Sequence, residues 1–219
     1  QEGKGVLFCQ HIKSPSRCVN VAHLAPDLAF ADIPKLYNTD LERTKLIGQG
    51  GSGMVYAGVL TLRDGTKTNV AVKELSSSGH ADKLEEEASF IEFQQEVFIM
   101  STLDSDYLVR FYGITRQPLQ MVLELVPKGD LFEFLHPKIR EGHPEFDPTR
   151  EQRLTVAKED FPWKLRLLIA LDMAIGMRYL HNITPPVIHR DLRTPNIFLS
   201  SFSTDVGTIR AKVADFGLS

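Results

Sequence analysis

His189-Arg190-Asp191-Leu192-Arg193-Thr194-Pro195-Asn196, followed by Lys212-Val213-Ala214-Asp215-Phe216-Gly217, is the stretch on which the reading of this chain turns. Taken alone, Asp191 reads as an ordinary turn aspartate, whose short carboxylate bonds nearby backbone. What surrounds the stretch changes that. Immediately upstream, Trp163 to His181 is expected to form a long helix, with Leu167, Leu168, Leu171, Ala174 and Ile175 as its broad buried face. Lys138 to Asp160 is a charged insert with few apolar anchors, expected to be a mobile surface loop. Residues 130–136 suit a short helix. Phe111-Tyr112-Gly113 and Met121 to Val126 read as strands, the second ended by Pro127-Lys128-Gly129.

Further upstream, Leu46-Ile47, Met54-Val55-Tyr56 and Val70-Ala71-Val72 are short β-prone runs separated by glycines and by the turn Asp64-Gly65, the pattern of antiparallel hairpins. Between the first two lie Gly48, Gly50 and Gly53, a Gly-x-Gly-x-x-Gly spacing that lets backbone approach a phosphate where a Cβ would collide. Alone, the spacing is a weak signal, with a ligand-free Gly-rich turn as the blander reading. No helix follows Gly53, as a dinucleotide fold would require, so the loop bends a hairpin instead. Lys73 closes the run Val70-Ala71-Val72, and a lone lysine there would merely snorkel to solvent. The segment Asp82 to Leu103 then turns helical, with Phe93, Val97 and Met100 on one apolar face and Glu85, Glu86 and Glu87 near its start, where the dipole favours acid. Glu96, inward on that helix, is the candidate holder for the Lys73 ammonium.

Composition sets the outer bounds. The chain has 219 residues and a formal net charge of −3, with 42% apolar and 24% charged residues, which is ordinary globular usage. Such a balance argues against nucleic-acid binding by bulk charge, which needs a basic face. Two cysteines, Cys9 and Cys18, are too few for a disulfide scaffold and fit a reducing, cytoplasmic compartment. Cys9, His11, Cys18 and His23 lack the usual zinc-ligand spacing. The most apolar stretch, Leu165 to Leu180, is interrupted by Arg166, Asp172 and Arg178, so no transmembrane segment is expected.

These blocks, in this order, resemble a eukaryotic protein kinase over roughly Leu41 to Ser219: Gly-rich loop, Val-Ala-Val-Lys, helix glutamate, His-Arg-Asp with its asparagine, and Asp-Phe-Gly. The resemblance implies an α+β, bilobal protein kinase-like fold, with a complete β-rich N-lobe at 39–126 and a truncated helical C-lobe at 127–219. It implies ATP and Mg2+ as cofactors and a protein hydroxyl as acceptor. Asp191 would be the base for that hydroxyl, Asn196 and Asp215 the magnesium ligands, and Lys73, held by Glu96, the partner of the α- and β-phosphates. Leu123 would be the gatekeeper. The Glu124 carbonyl and Val126 amide would meet the adenine edge, with Val55, Ala71 and Phe198 sandwiching the ring.

Arg193 stands where many serine/threonine kinases carry lysine, so the acceptor could be tyrosine. However, Phe93 to Ser101, Val126 to Leu131 and His189 to Leu199 are similar to the tyrosine-kinase-like group, especially Roco kinases, which phosphorylate serine and threonine. That similarity implies a Ras-like GTPase and a dimerising COR domain ahead of the kinase in the same parent chain. Residues 1–38, which contain Pro15, Pro26 and Pro34 and no sustained period, would be a linker or the tail of that module. A pseudokinase acting as a docking module is the alternative, although Lys73, Asp191, Asn196 and Asp215 are all kept. The sequence ends two residues after Gly217, without an activation segment, so a piece of a longer protein is expected, inactive and marginally stable by itself.

Overall fold

Strand-forming residues in the first half of the chain alternate between the two faces of a sheet, one carrying a buried aliphatic cluster and the other the candidate site residues. The computed structural model describes residues 33–50, 53–75, 83–116, 118–139, 152–157 and 159–216, with 83–88 by backbone alone. The chain divides into two compact units, Gln1–Ile33 and Pro34–Ser219, and every element described below belongs to the second. Cys9, His11, Cys18 and His23 lie outside the described residues.

Strands β1 (Leu41–Gly50), β2 (Gly53–Thr61), β3 (Lys67–Glu74), β4 (Phe111–Arg116) and β5 (Leu119–Glu124) form one antiparallel sheet in the order β1-β2-β3-β5-β4. The expected hairpins are present. At the β2–β3 turn, Asp64 Oδ1 accepts from the Thr66 N–H and hydroxyl, which holds its carboxyl below the usual range. At the β1–β2 turn, Gly50 pairs with Gly53, and Gly53 has φ +126°, a conformation that side chains strongly disfavour. One face of the sheet buries Leu60, Val70, Val72 and Val122, and Leu36, Leu41 and Tyr112 pack against them. Burying each such aliphatic side chain contributes about 1.5–3 kcal/mol.

Helix α1 (Lys83–Thr102) buries Phe93, Val97 and Met100, the apolar stripe read from the sequence. Helix α2 (Leu131–Leu135) is capped by Asp130, whose Oδ1 accepts from the Glu133 N–H at 2.8 Å, a bond that typically stabilises by ~1 kcal/mol. Helix α3 (Trp163–Asn182) supports a two-stranded ribbon of β6 (Ile197–Leu199) and β7 (Ala211–Val213). Among the described residues, no helix is long and apolar enough to cross a membrane.

Two expectations need correction or refinement. The buried stripe of α3 is Leu165, Ile169, Asp172, Gly176 and Leu180, whereas Leu167, Leu171 and Ala174 are exposed. Asp172 belongs inside because its Oδ2 accepts from the N–H groups of Arg210 and Ala211 at 2.6 and 3.2 Å. Gly176 belongs inside because a Cβ there would lie 3.1 Å from the Tyr107 carbonyl. The described ends of the charged insert are anchored: Ile139 N–H bonds the Gln152 carbonyl and Leu154 N–H the Pro137 carbonyl. Arg153 grips α2 through Glu133 Oε1 at 2.9 Å and the His136 carbonyl at 2.7 Å. Residues 140–151 of the insert lie outside the described residues.

Candidate functional site

The face of the sheet opposite the buried cluster carries the first group of site residues. Because side chains alternate along a strand, Val70 and Val72 point one way, and Ala71 and Lys73 point the other. Val55 lies opposite Lys73 on β2, while Met121 and Leu123 lie opposite Lys73 and Ala71 on β5. Lys73 Nζ donates to Glu96 Oε2 of α1 at 2.6 Å, and both side chains are largely removed from water. Burial pushes the Glu96 carboxyl above the usual carboxylate range. The Lys73 ammonium opposes that rise, and the negative charge of Asp215 adds to it.

The second group sits on the loop between α3 and β6. Asp191 Oδ2 accepts from Asn196 Nδ2 at 2.9 Å and from Arg193 Nε at 3.0 Å. The same Asn196 amide nitrogen donates to the Asp191 carbonyl at 2.9 Å, which closes the loop on itself. His189 is buried and structural: its Nε2 lies 3.0 Å from the Ala214 carbonyl, and its ring is 5.2 Å from that of Phe216. The Ala214 N–H bonds the Asn196 carbonyl at 2.9 Å, so the loop and the end of β7 are stitched together. Arg190 and Asp215 have φ of +60° and +65°, conformations costing of order 1–3 kcal/mol that the surrounding contacts sustain.

The third group is the connection after β5. Val126 packs with Val109 and Ala214, against Leu123 and Phe198. Its N–H donates to no described residue. The Glu124 side chain, by contrast, is engaged: its Oε2 accepts from Lys212 Nζ at 2.8 Å and from the Arg110 N–H at 3.2 Å.

The structure thus pairs Lys73 with Glu96, joins Asp191 to Asn196, and sets Val55 and Ala71 on the Lys73 face. Gly51, Ser52 and Gly217 lie outside the described residues, while Gly48 and Gly50 belong to β1. Sequence reading missed Lys212, Arg110 and Asp172. A lysine inside the otherwise apolar Ala211-Lys212-Val213-Ala214 run was a signal for the first; backbone partners gave none for the others.

The donor set suits magnesium. Asp215 offers a carboxylate, and Asn196 uses Nδ2 for Asp191, leaving Oδ1 as a hard oxygen acceptor. Among the described residues, no cluster of three or more His, Cys, Asp or Glu could hold a metal ion.

The family model for protein tyrosine and serine/threonine kinases matches residues 41–219. The chain is 36% identical, over 99% of its length, to the probable serine/threonine-protein kinase roco11 of Dictyostelium discoideum. It is 38% identical, over its whole length, to the probable serine/threonine-protein kinase pats1 of the same organism. Over 84% of its length it is 39% identical to the probable serine/threonine-protein kinase roco6. It spans only 13%, 6% and 7%, respectively, of the lengths of those relatives.

Proposed function

Because the chain belongs to the protein tyrosine and serine/threonine kinase family, we propose that it transfers the γ-phosphoryl group of ATP to a serine or threonine hydroxyl of a protein substrate. The observation that carries this reading is the Lys73–Glu96 ion pair at 2.6 Å, with the charge of Asp215 felt at Glu96. An ammonium held in that way is positioned for the α- and β-phosphates of a nucleotide beneath the glycine turn. The adenine meets the Glu124 carbonyl and the Val126 amide, between Val55 and Ala71 on one side and Phe198 on the other.

Asp191 accepts the proton of the substrate hydroxyl as its oxygen bonds to the γ-phosphorus, the β–γ bridging oxygen departs, and ADP is left. Arg193 and Asn196 both donate to Oδ2 of that carboxylate, leaving Oδ1 toward the acceptor. Asn196 and Asp215 would hold magnesium, which when bound neutralises charge on the phosphates. Electrostatic preorganisation does most of the work, because phosphoryl transfer asks little covalent chemistry of the protein.

Residues 39–126 serve as the nucleotide lobe and 127–219 as the substrate-side lobe. Residues 1–38 serve as a linker or as the tail of a preceding module, a GTPase and COR pair in the parent chain by analogy with Roco kinases, in a reducing, cytoplasmic setting. Phosphotransfer from γ-labelled Mg-ATP by the full-length protein, followed by phosphoamino-acid analysis, tests the reading. Label on serine and threonine is expected, falling roughly 10²–10⁴-fold in Asp191→Asn. Nucleotide binding without any transfer would instead make the protein a docking module.

A further inference from the structure

The hinge and the strand leading to Asp215 are closed into one ring of polar contacts. Glu124, the last residue of β5, donates its N–H to the Arg110 carbonyl at 2.8 Å, and its Oε2 accepts from the Arg110 N–H at 3.2 Å. One residue back, the Val109 N–H bonds the Val213 carbonyl at 2.9 Å, and the Val213 N–H bonds the Tyr107 carbonyl at 2.9 Å. Residues 107–109 thereby run alongside β7, with Leu108 and Val213 as a parallel bridge. Lys212 Nζ completes the ring by donating to Glu124 Oε2 at 2.8 Å. Val109, Val126 and Ala214 pack together here, against Leu123 and Phe198.

The Lys212 and Glu124 side chains keep only 13% and 24% of their exposure. A pair so far removed from water is costly to break from one side, unlike an exposed ion pair. Tilting the hinge away from β7 would break it.

We propose that Lys212 is a positioning residue: through Glu124 it fixes the spacing between the adenine-facing backbone of the hinge and Asp215, three residues further along the chain. The inference rests on the nucleotide reading above and adds a residue to it. A ligand that touches only the hinge does not need that spacing. A ligand that reaches from the hinge to Asp215 does. Adenosine is the first kind, and Mg-ATP is the second.

Calorimetric titration of the full-length protein with each ligand separates the cases. Lys212→Met is expected to weaken Mg-ATP binding roughly tenfold while changing adenosine affinity less than about twofold. Lys212→Arg, which keeps a donor for Glu124, restores Mg-ATP affinity. Glu124→Gln with Lys212→Met binds Mg-ATP no more weakly than the worse single variant, because both cut one contact. An equal loss for both ligands would reduce the pair to general fold support and overturn the proposal. So would unchanged Mg-ATP affinity in Lys212→Met. Failure of the unsubstituted protein to bind Mg-ATP would overturn the nucleotide reading itself, a result seen before any variant is made.

Discussion

Glu96 is a carboxylate taken almost wholly out of water, and its partner Lys73 is what makes that tolerable. Burial raises its pKa, Asp215 raises it further, and the Lys73 ammonium holds it back. A carboxyl whose folded pKa lies above its unfolded value of about 4.3 binds its proton more tightly in the folded chain. Its contribution to stability is therefore fullest below the unfolded value and declines as pH rises through the folded one. Lys73→Met removes the opposing ammonium, so the folded pKa climbs and the decline deepens. The variant should lose roughly 3–5 kcal/mol at neutral pH if Glu96 stays charged. It should regain part of that loss as pH is lowered from about 8 to about 5. The double variant Lys73→Met/Glu96→Gln has no such carboxylate and should show no matching recovery. Thermal denaturation at several pH values checks this, and parallel profiles for the two variants would refute it.

At the scale of elements, β2 and β3 were legible because glycine turns bound their apolar runs, and α1 because Phe93, Val97 and Met100 recur at helical spacing. Helix α3 was not. Apolar residues lie all round it, so periodicity favoured the leucine-rich side, while the buried side holds Asp172 and Gly176, two residues a hydrophobic count sends to solvent. What decides the face is partners distant in sequence: the backbone N–H groups of Arg210 and Ala211, and the Tyr107 carbonyl beside Gly176. The same Asp172 has the Arg210 guanidinium nearby, which itself donates to the carbonyls of Ser203, Thr208 and Asp205 and so pins the loop before β7. Asp172→Ala orphans two buried donors at once. Each costs about 1–3 kcal/mol, so a loss of roughly 2–6 kcal/mol is expected in urea denaturation. Asp172→Asn keeps an acceptor oxygen and should cost less than half as much. Equal costs for the two would show that the bonds to Arg210 and Ala211 contribute little.

Across the whole molecule, the candidate site residues are easier to find in the sequence than the contacts that join them. Gly-rich turn, lysine, glutamate, aspartates and asparagine each sit in short motifs, whereas the contacts joining the hinge to β7 pair residues far apart in the chain, such as Glu124 and Lys212. The outward side of α3 is a further whole-molecule property that periodicity misassigned. Trp163, Leu167 and Leu171, each four residues apart and so one above the other on the helix, keep 69%, 54% and 53% of their exposure. Trp163 is the sole tryptophan, so its emission should already be that of a solvated indole and shift little on unfolding. A contiguous apolar stripe of this kind promotes association as concentration rises. Replacing it tests whether the leucines are truly unpacked. Leu167→Glu with Leu171→Lys places an acid four residues before a base, an exposed pair worth about 0.2–0.5 kcal/mol in a helix. The doubly substituted chain should therefore be at least as stable as the original and less prone to associate in sedimentation. A loss of more than about 2 kcal/mol, the cost typical of deleting a buried leucine, would mean that this face is packed in the folded chain.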